Sequence, residues 1–144
     1  MPPDPLAGQL ADELVRIAAG LASLLAPDCH AELTHRAEQA AGRISAQLRS
    51  GDDHLAAETV IDLACAGVVP DLPDAEWWAT PLGRAVARSV GHPSADAVSH
   101  SVAAAMLGVH RGTVAQLVHR GNLDRHPDGG VTTASVRARL ARLT

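Results

Sequence analysis

The fold of the C-terminal part of the chain is decided by residues 103–123, which read AAAMLGVHRGTVAQLVHRGNL. Two helices joined by a tight turn need a small residue where they cross, a glycine with positive φ at the turn, and a β-branched or leucine anchor in the second helix. Ala104, Gly108 and Val114 meet these needs, at offsets of four and then six residues. Gly121 follows at a position where glycine commonly ends a helix. The stretch therefore predicts a helix-turn-helix.

The second helix of this motif leaves a polar face outside. Once Val114, Leu117 and Val118 are placed inward, the helical period leaves six positions outward: Arg111, Gly112, Thr113, Gln116, His119 and Arg120. Arginine and glutamine form paired hydrogen bonds with guanine and adenine in the DNA major groove, and threonine contacts phosphate or the thymine methyl group. This helix, over residues 110–120, is predicted to read double-stranded DNA. His110 at its start is counted among the DNA-binding residues.

The residues after the second helix predict a β-hairpin. Residues 122–133 read NLDRHPDGGVTT and place a turn signal, DGG at 128–130, between two short segments of possible strand. Arg125 and His126 lie on the first limb, where a hairpin would lean over the sugar-phosphate backbone of DNA. We therefore expect a wing over residues 124–131, followed by a closing helix.

The segment from residue 99 to residue 143 resembles the small winged helix-turn-helix domains of phage excisionases and of MerR-like regulators. In those domains a pattern such as AAxxLGVxxxTVxxLVxxGxL precedes a wing and a closing helix, and here HPDGGVTTASV follows the helix-turn-helix. The resemblance implies that two wing residues, Arg125 and His126, touch phosphate or the minor groove. It further implies that four side chains face the major groove: Arg111, Thr113, Gln116 and Arg120.

The segment departs from the family pattern at two places. His110 and Gly112 stand where the family often has serine. The wing contains Pro127 and Asp128 where more basic residues are usual. These differences bear on the affinity for DNA rather than on the fold.

The charge of the chain is divided unevenly along its length, although the formal total is only −4. Residues 1–96 carry six arginines against fourteen acidic residues, a net charge of −8, whereas residues 97–144 carry six arginines against two acidic residues, a net charge of +4. Such a division suggests a phosphate-binding module joined to an acidic part with a different use. We therefore expect an acidic helical domain over residues 1–92 and a DNA-binding domain over residues 93–144.

The N-terminal part reads as a helical bundle. Apolar residues recur at steps of three and four from Leu6 to Ala26, and further helices are predicted over residues 28–49 and 53–66. A leucine- and alanine-rich stripe of this kind is expected to be buried inside the bundle or in a homodimer, as DNA-binding proteins of this size often act on paired half-sites. Trp77 and Trp78 either plug this alanine-rich core or form a hot spot for a partner.

The expected architecture is mainly α: an N-terminal helical bundle followed by a small winged helix-turn-helix with one short β-hairpin. Pro81 after Thr80 predicts a further helix start, and a short helix from Ser94 is expected to lead into the C-terminal domain.

The sequence offers no recognisable catalytic or metal site. Cys29 lies near His30 and His35, but no third ligand or orienting carboxylate follows at a suitable spacing. The histidines of the C-terminal third match no zinc pattern. We therefore expect no enzyme activity, no metal and no cofactor.

The N-terminus is acidic where a secretory signal would be basic, and apolar runs fall short of the roughly 18 residues that a membrane span needs. The predicted location is therefore the cytoplasm, without contact to a membrane. The predicted function is sequence-specific binding of double-stranded DNA, as a transcriptional regulator or an excisionase-like architectural factor. The alternative is a non-enzymatic adaptor that uses the helix-turn-helix to bind another protein.

Overall fold

The computed structural model describes residues 4–143, and this range contains eight α-helices, one 3-10 helix and a two-stranded antiparallel sheet. The prediction of a mainly helical chain is therefore confirmed. No helix among these residues combines the length and the apolar character that crossing a bilayer requires. The chain divides into two compact units between Val68 and Val69, whereas the boundary expected from the sequence lies between residues 92 and 93.

The N-terminal unit consists of three helices in its described part. They are α1 (Pro5–Leu25), α2 (His30–Leu48) and α3 (Asp53–Cys65), and a 3-10 turn at Pro27–Cys29 separates the first two. The predicted bounds of all three helices are confirmed to within two residues.

Asp4 and Arg49 join the start of α1 to the end of α2, so these two helices run antiparallel. The Asp4 carboxylate accepts hydrogen bonds of 2.7 and 2.8 Å from the two terminal nitrogens of Arg49. It also accepts hydrogen bonds from the Ser45 hydroxyl, at 2.9 Å, and from the Leu6 backbone N–H, at 3.1 Å. The hydrogen bonds from Arg49 are the main cause that lowers the pKa of Asp4 from 3.8 to about 2. This bidentate contact fixes the open end of the helical hairpin.

The leucines of the apolar stripe of α1 are buried near its start and exposed near its end, although Ala22 between the exposed leucines is fully buried. Leu6 and Leu10 are almost fully buried, whereas Leu21, Leu24 and Leu25 are 51%, 82% and 79% exposed. The helix α3 packs mainly against α2. Burial inside a single-chain bundle, one of the two expectations from the sequence, therefore does not include the leucines in the last turns of α1.

The C-terminal unit begins with α4 (Ala75–Trp78) and α5 (Pro81–Ser89), followed by strand β1 (Ala97–Val98). The remaining elements follow in chain order: α6 (His100–Leu107), α7 (Arg111–His119), β2 (Val131–Thr132) and α8 (Thr133–Leu143). The short helix predicted from Ser94 is wrong, because the segment runs through bends into β1. The predicted helix start at Thr80 is confirmed, since the Thr80 hydroxyl accepts a hydrogen bond from the Gly83 N–H at 3.1 Å.

Trp78 and Gly83 hold α4 and α5 together in the core of the C-terminal unit. Trp78 is fully buried and Trp77 is partly exposed, so one of the two tryptophans does serve the core. A Cβ on Gly83 would overlap the backbone of both tryptophans, so glycine is what permits α5 to lie this close to α4. The helices α4, α5 and α8 all pack against α6. For this reason α4 and α5 belong with the C-terminal elements and not with the N-terminal bundle.

The small sheet joins residues that lie before and after the predicted helix-turn-helix. The strands β1 and β2 pair with Val98 opposite Val131. The hairpin predicted over residues 124–131 contains one isolated bridge, between Arg125 and Val131. The predicted hairpin is therefore confirmed only in this minimal form, in which the His126 N–H donates a 3.0 Å hydrogen bond to the Gly130 carbonyl and the Thr132 N–H donates a 2.9 Å hydrogen bond to the Asp124 carbonyl. The regular pairing of β2 is with β1, which comes from before α6 and which the sequence does not indicate. Gly130 permits this pairing, since it has a φ of +77° and a Cβ there would clash with the Val98 carbonyl.

Candidate nucleic-acid interface

A turn of three residues joins α6 to α7. Gly108 ends α6 with a φ of +71°, and the Val109 N–H donates a 3.0 Å hydrogen bond back to the Ala104 carbonyl. Gly121 follows α7 with a φ of +77°. The two predicted helices and their two glycines with positive φ are therefore confirmed. The glycines are needed because a side chain is strained in this left-handed conformation.

The anchors of α7 lie inward and its polar side chains lie outward. Val114 and Leu117 are buried, and α7 packs against α6. Helical periodicity places Gly112, Gln116 and His119 opposite these two anchors. The predicted site residues of this helix are all exposed: Arg111, Thr113, Gln116, His119 and Arg120.

Two histidines predicted as DNA contacts form part of the local backbone structure. The His110 Nδ1 accepts a 3.1 Å hydrogen bond from the Gly112 N–H and so caps α7. The His126 Nδ1 accepts a 3.1 Å hydrogen bond from the Asp128 N–H in the turn that follows. His92, outside the predicted site, bonds to the Ser94 N–H in the same way. In each of these histidines Nδ1 is occupied, which leaves only the Nε2 edge for an outside partner.

His92 lies against the buried Trp78, with the two ring centroids 5.3 Å apart. Burial lowers the pKa of His92 below its ordinary value of 6.5. The neutral ring matches its hydrogen bonds, because Nδ1 accepts from the N–H groups of both Ser94 and Ala95. His92 therefore packs against the core at Trp78 and orders the loop before β1.

The segment over residues 124–131 places one exposed arginine between two exposed carboxylates. Arg125 pairs through its backbone with Val131, and Asp124, directly before it, and Asp128, three residues after it, are both exposed. The His126 N–H donates a 3.0 Å hydrogen bond to the Gly130 carbonyl and thereby closes the turn. The segment is thus ordered by backbone contacts. The positive charge of Arg125 is partly offset by the negative charges of Asp124 and Asp128.

The arginines of the two units differ in their partners. Three arginines of the N-terminal unit form ion pairs with carboxylates: Arg16, Arg36 and Arg49. Seven arginines of the C-terminal unit form no ion pair with any residue between 4 and 143: Arg84, Arg88, Arg111, Arg120, Arg125, Arg139 and Arg142. The C-terminal unit carries eight arginines against six acidic residues, a net charge of +2, and the N-terminal unit carries −6. Uncompensated guanidinium groups of this kind are suited to phosphate.

Arg84 of α5 lies at the turn between α6 and α7, a position that the sequence does not indicate. A Cβ built on Gly108 would lie 3.6 Å from the Cζ atom of Arg84. Arg84 and Gly108 are far apart in the sequence and in different helices, so no local pattern indicates this contact.

The residues considered for catalysis or metal binding do not form such a site in the described part of the chain. Cys29 and Cys65 are both free thiols and both exposed. No three histidine, cysteine, aspartate or glutamate side chains between residues 4 and 143 come together as metal ligands. A groove of about 430 Å³ lies beside α4 and is lined partly by Leu72, Asp74 and Trp77.

Comparisons with known proteins add no relative. No protein-family model matches the chain, no curated protein matches it, and no solved structure matches it. The resemblance to winged helix-turn-helix domains therefore depends on the residues quoted above.

Proposed function

We propose that the protein binds double-stranded DNA in the cytoplasm and reads its sequence, as a transcriptional regulator or an excisionase-like architectural factor. In this proposal α6 and α7 form the helix-turn-helix, and residues 124–131 act as a short wing. The observation that carries the proposal is the exposed polar face of α7 around Gln116, opposite the buried anchors Val114 and Leu117.

The dimensions of α7 suit the major groove. An α-helix with its side chains is about 10–12 Å in diameter, which matches a groove about 12 Å wide, and the nine residues of α7 make it roughly 13 Å long at 1.5 Å per residue. Gln116 occupies the centre of the exposed face, where its amide reads adenine through paired hydrogen bonds. Arg111 and Arg120 flank it and contact guanine or the adjacent phosphates.

The wing has a smaller part in binding. Arg125 contacts the phosphate backbone and so positions the protein without reading bases. Asp124 and Asp128 weaken this contact, because each is repelled by phosphate. His126 orders the turn through its Nδ1 and presents only its Nε2 edge to DNA.

A salt titration tests the proposal. Fragments of the source genome are first selected on the full chain, and the affinity for a selected fragment is then measured by fluorescence anisotropy. If the protein neutralises about five phosphates, the affinity falls roughly 500-fold between 50 and 200 mM salt. A failure to bind any genomic fragment at 50 mM salt would overturn the proposal.

We also propose that the α1–α2 hairpin forms a homodimer through the exposed end of α1. Leu21, Leu24 and Leu25 form an apolar patch without a charged residue between Arg16 and Asp28. A second copy would cover this patch. Dimerisation also suits DNA reading, because two recognition helices can then occupy half-sites about one helical turn apart.

Leu24→Glu is expected to abolish this dimer, because it places a carboxylate in the centre of the apolar patch. Analytical ultracentrifugation should give the wild-type chain a mass of twice 14.9 kDa and the variant the mass of a monomer. Ile61→Glu is the matched control, since Ile61 is 60% exposed on α3 and its variant should remain dimeric. A monomeric wild type at micromolar concentration contradicts the dimer.

The alternative function is that of a protein adaptor that uses the helix-turn-helix as its interaction module, and a groove outside that motif offers it a further surface. The groove beside α4 combines an exposed leucine, Leu72, with the partly exposed Trp77. Tryptophan is enriched where proteins bind one another. Retention of a protein partner by a chain that binds no DNA would support this second function.

A further inference from the structure

Arg84 is held at the α6–α7 turn by a helix outside the helix-turn-helix. It lies in α5, whose position is fixed by the fully buried Leu82 and Val86. Three guanidinium atoms approach the position of a Gly108 Cβ almost equally, with Cζ at 3.6 Å, Nη2 at 3.7 Å and Nη1 at 3.9 Å. Nearly equal distances mean that the face of the guanidinium lies against the glycine. Its N–H groups, which lie in the plane, therefore point sideways and not into the glycine.

No residue between 4 and 143 forms a hydrogen bond or an ion pair with the guanidinium of Arg84. The residue is exposed, and it forms no salt bridge within residues 4–143. Gly108 also contributes to this placement, because it offers no side chain that would push the guanidinium away. An arginine in this state can donate several hydrogen bonds to a phosphate group without losing an existing contact.

The place of Arg84 matters because the turn leads directly into α7. The turn ends at His110, which caps α7, and Arg111 is the first residue of the helix. When α7 lies in the major groove, the chain at its N-terminal end meets the sugar-phosphate strand that borders the groove. Arg84 would then reach the same strand as Arg111 but from a different helix.

We propose that Arg84 contacts the DNA phosphate backbone next to the α6–α7 turn, so that α5 is part of the DNA-binding surface. This inference rests on the proposed DNA binding and extends it to a residue outside the segment that resembles known DNA-binding domains. Arg84 contacts phosphate only, so it contributes affinity for every sequence and no base preference.

A structural role for Arg84 makes a different prediction. A cation beside the C-terminal end of α6 interacts favourably with the carbonyl groups there. Removal of a purely structural arginine would lower the thermal midpoint of unfolding. It would leave unchanged the number of phosphate counterions released on binding, which the salt dependence measures.

The test compares Arg84→Ala with the wild-type chain on a labelled duplex of random sequence, about three helical turns of roughly 10 base pairs each. Loss of one phosphate contact should reduce the slope of log affinity against log salt by about 0.9, and should reduce the affinity about eightfold at 100 mM salt. The same factor is expected on a selected genomic fragment. Arg84→Lys should keep the wild-type slope, because it retains the charge.

Arg43→Ala is the matched control, since Arg43 is exposed on α2 of the other unit and its removal changes the net charge equally. Its slope should equal that of the wild type. If the wild type binds DNA and Arg84→Ala keeps the wild-type slope, the inference about Arg84 is wrong and the proposed function stands. If the wild type binds no DNA at low salt, both are wrong.

Discussion

Replacing Gly83 by alanine is expected to destabilise the C-terminal unit by about 3 kcal/mol, the upper part of the range for overpacked cores and a large share of a small domain's stability. The new Cβ would overlap the Trp77 carbonyl oxygen and the Trp78 backbone. These are backbone atoms, so no side-chain rotation can relieve the overlap. The helices α4 and α5 must move apart, and the fully buried Trp78 then loses its close packing.

Urea unfolding followed by tryptophan fluorescence measures this effect, because Trp77 and Trp78 both lie in the C-terminal unit. Gly42→Ala is the control, since Gly42 lies within α2 and a Cβ there meets no atom within 4 Å. That variant should gain roughly 0.5–1 kcal/mol from the better helix propensity of alanine, measured by circular dichroism. An unchanged unfolding midpoint for Gly83→Ala would mean that α4 and α5 do not pack this closely.

Gln116→Ala and Arg111→Ala are each expected to weaken binding to a selected DNA site by about 1–3 kcal/mol, or roughly 5- to 150-fold. Each side chain is exposed on α7, so neither substitution disturbs the anchors Val114 and Leu117. Gln116 lies at the centre of the exposed face, and its loss should leave the affinity for random DNA nearly unchanged. Reselection of fragments on each variant should show relaxed preference at one base pair.

Gln39→Ala provides the control for Gln116→Ala, because Gln39 is exposed on α2 in the other unit. It should bind like the wild type. Equal losses on selected and random DNA would assign Gln116 to the phosphate backbone and not to a base. Full retention of affinity and preference by both α7 variants would contradict the proposed recognition helix.

Much of the α6–α7 segment is predictable from local sequence. The φ of Gly108 follows from the need of a tight turn for a left-handed residue, and the inward positions of Val114 and Leu117 follow from the helical period. The helix bounds in the N-terminal unit follow in the same way from apolar spacing, with errors of at most two residues at either end. Local chemistry suffices here because each of these features depends on residues within about one or two helical turns.

Local sequence indicates only part of the strand pairing in the wing. The DGG signal predicts a turn at 128–130, and His126 and Gly130 do close one. Arg125 does bridge Val131, but the regular strand partner of β2 is β1 with Val98, on the far side of the helix-turn-helix in the chain. Strand pairing depends on which backbone edge the packed helices bring near, and sequence patterns describe only the strand itself.

The sequence by itself determined the mainly helical class, the two helices around Gly108 and the polar composition of α7, because these depend on backbone preference and periodicity. Only the tertiary structure decided that α4 and α5 join the C-terminal unit, that β1 supplies the strand opposite β2, and that Arg84 lies against Gly108. These contacts join residues distant in the chain. They form because buried apolar side chains such as Trp78 pack closely against surfaces of complementary shape.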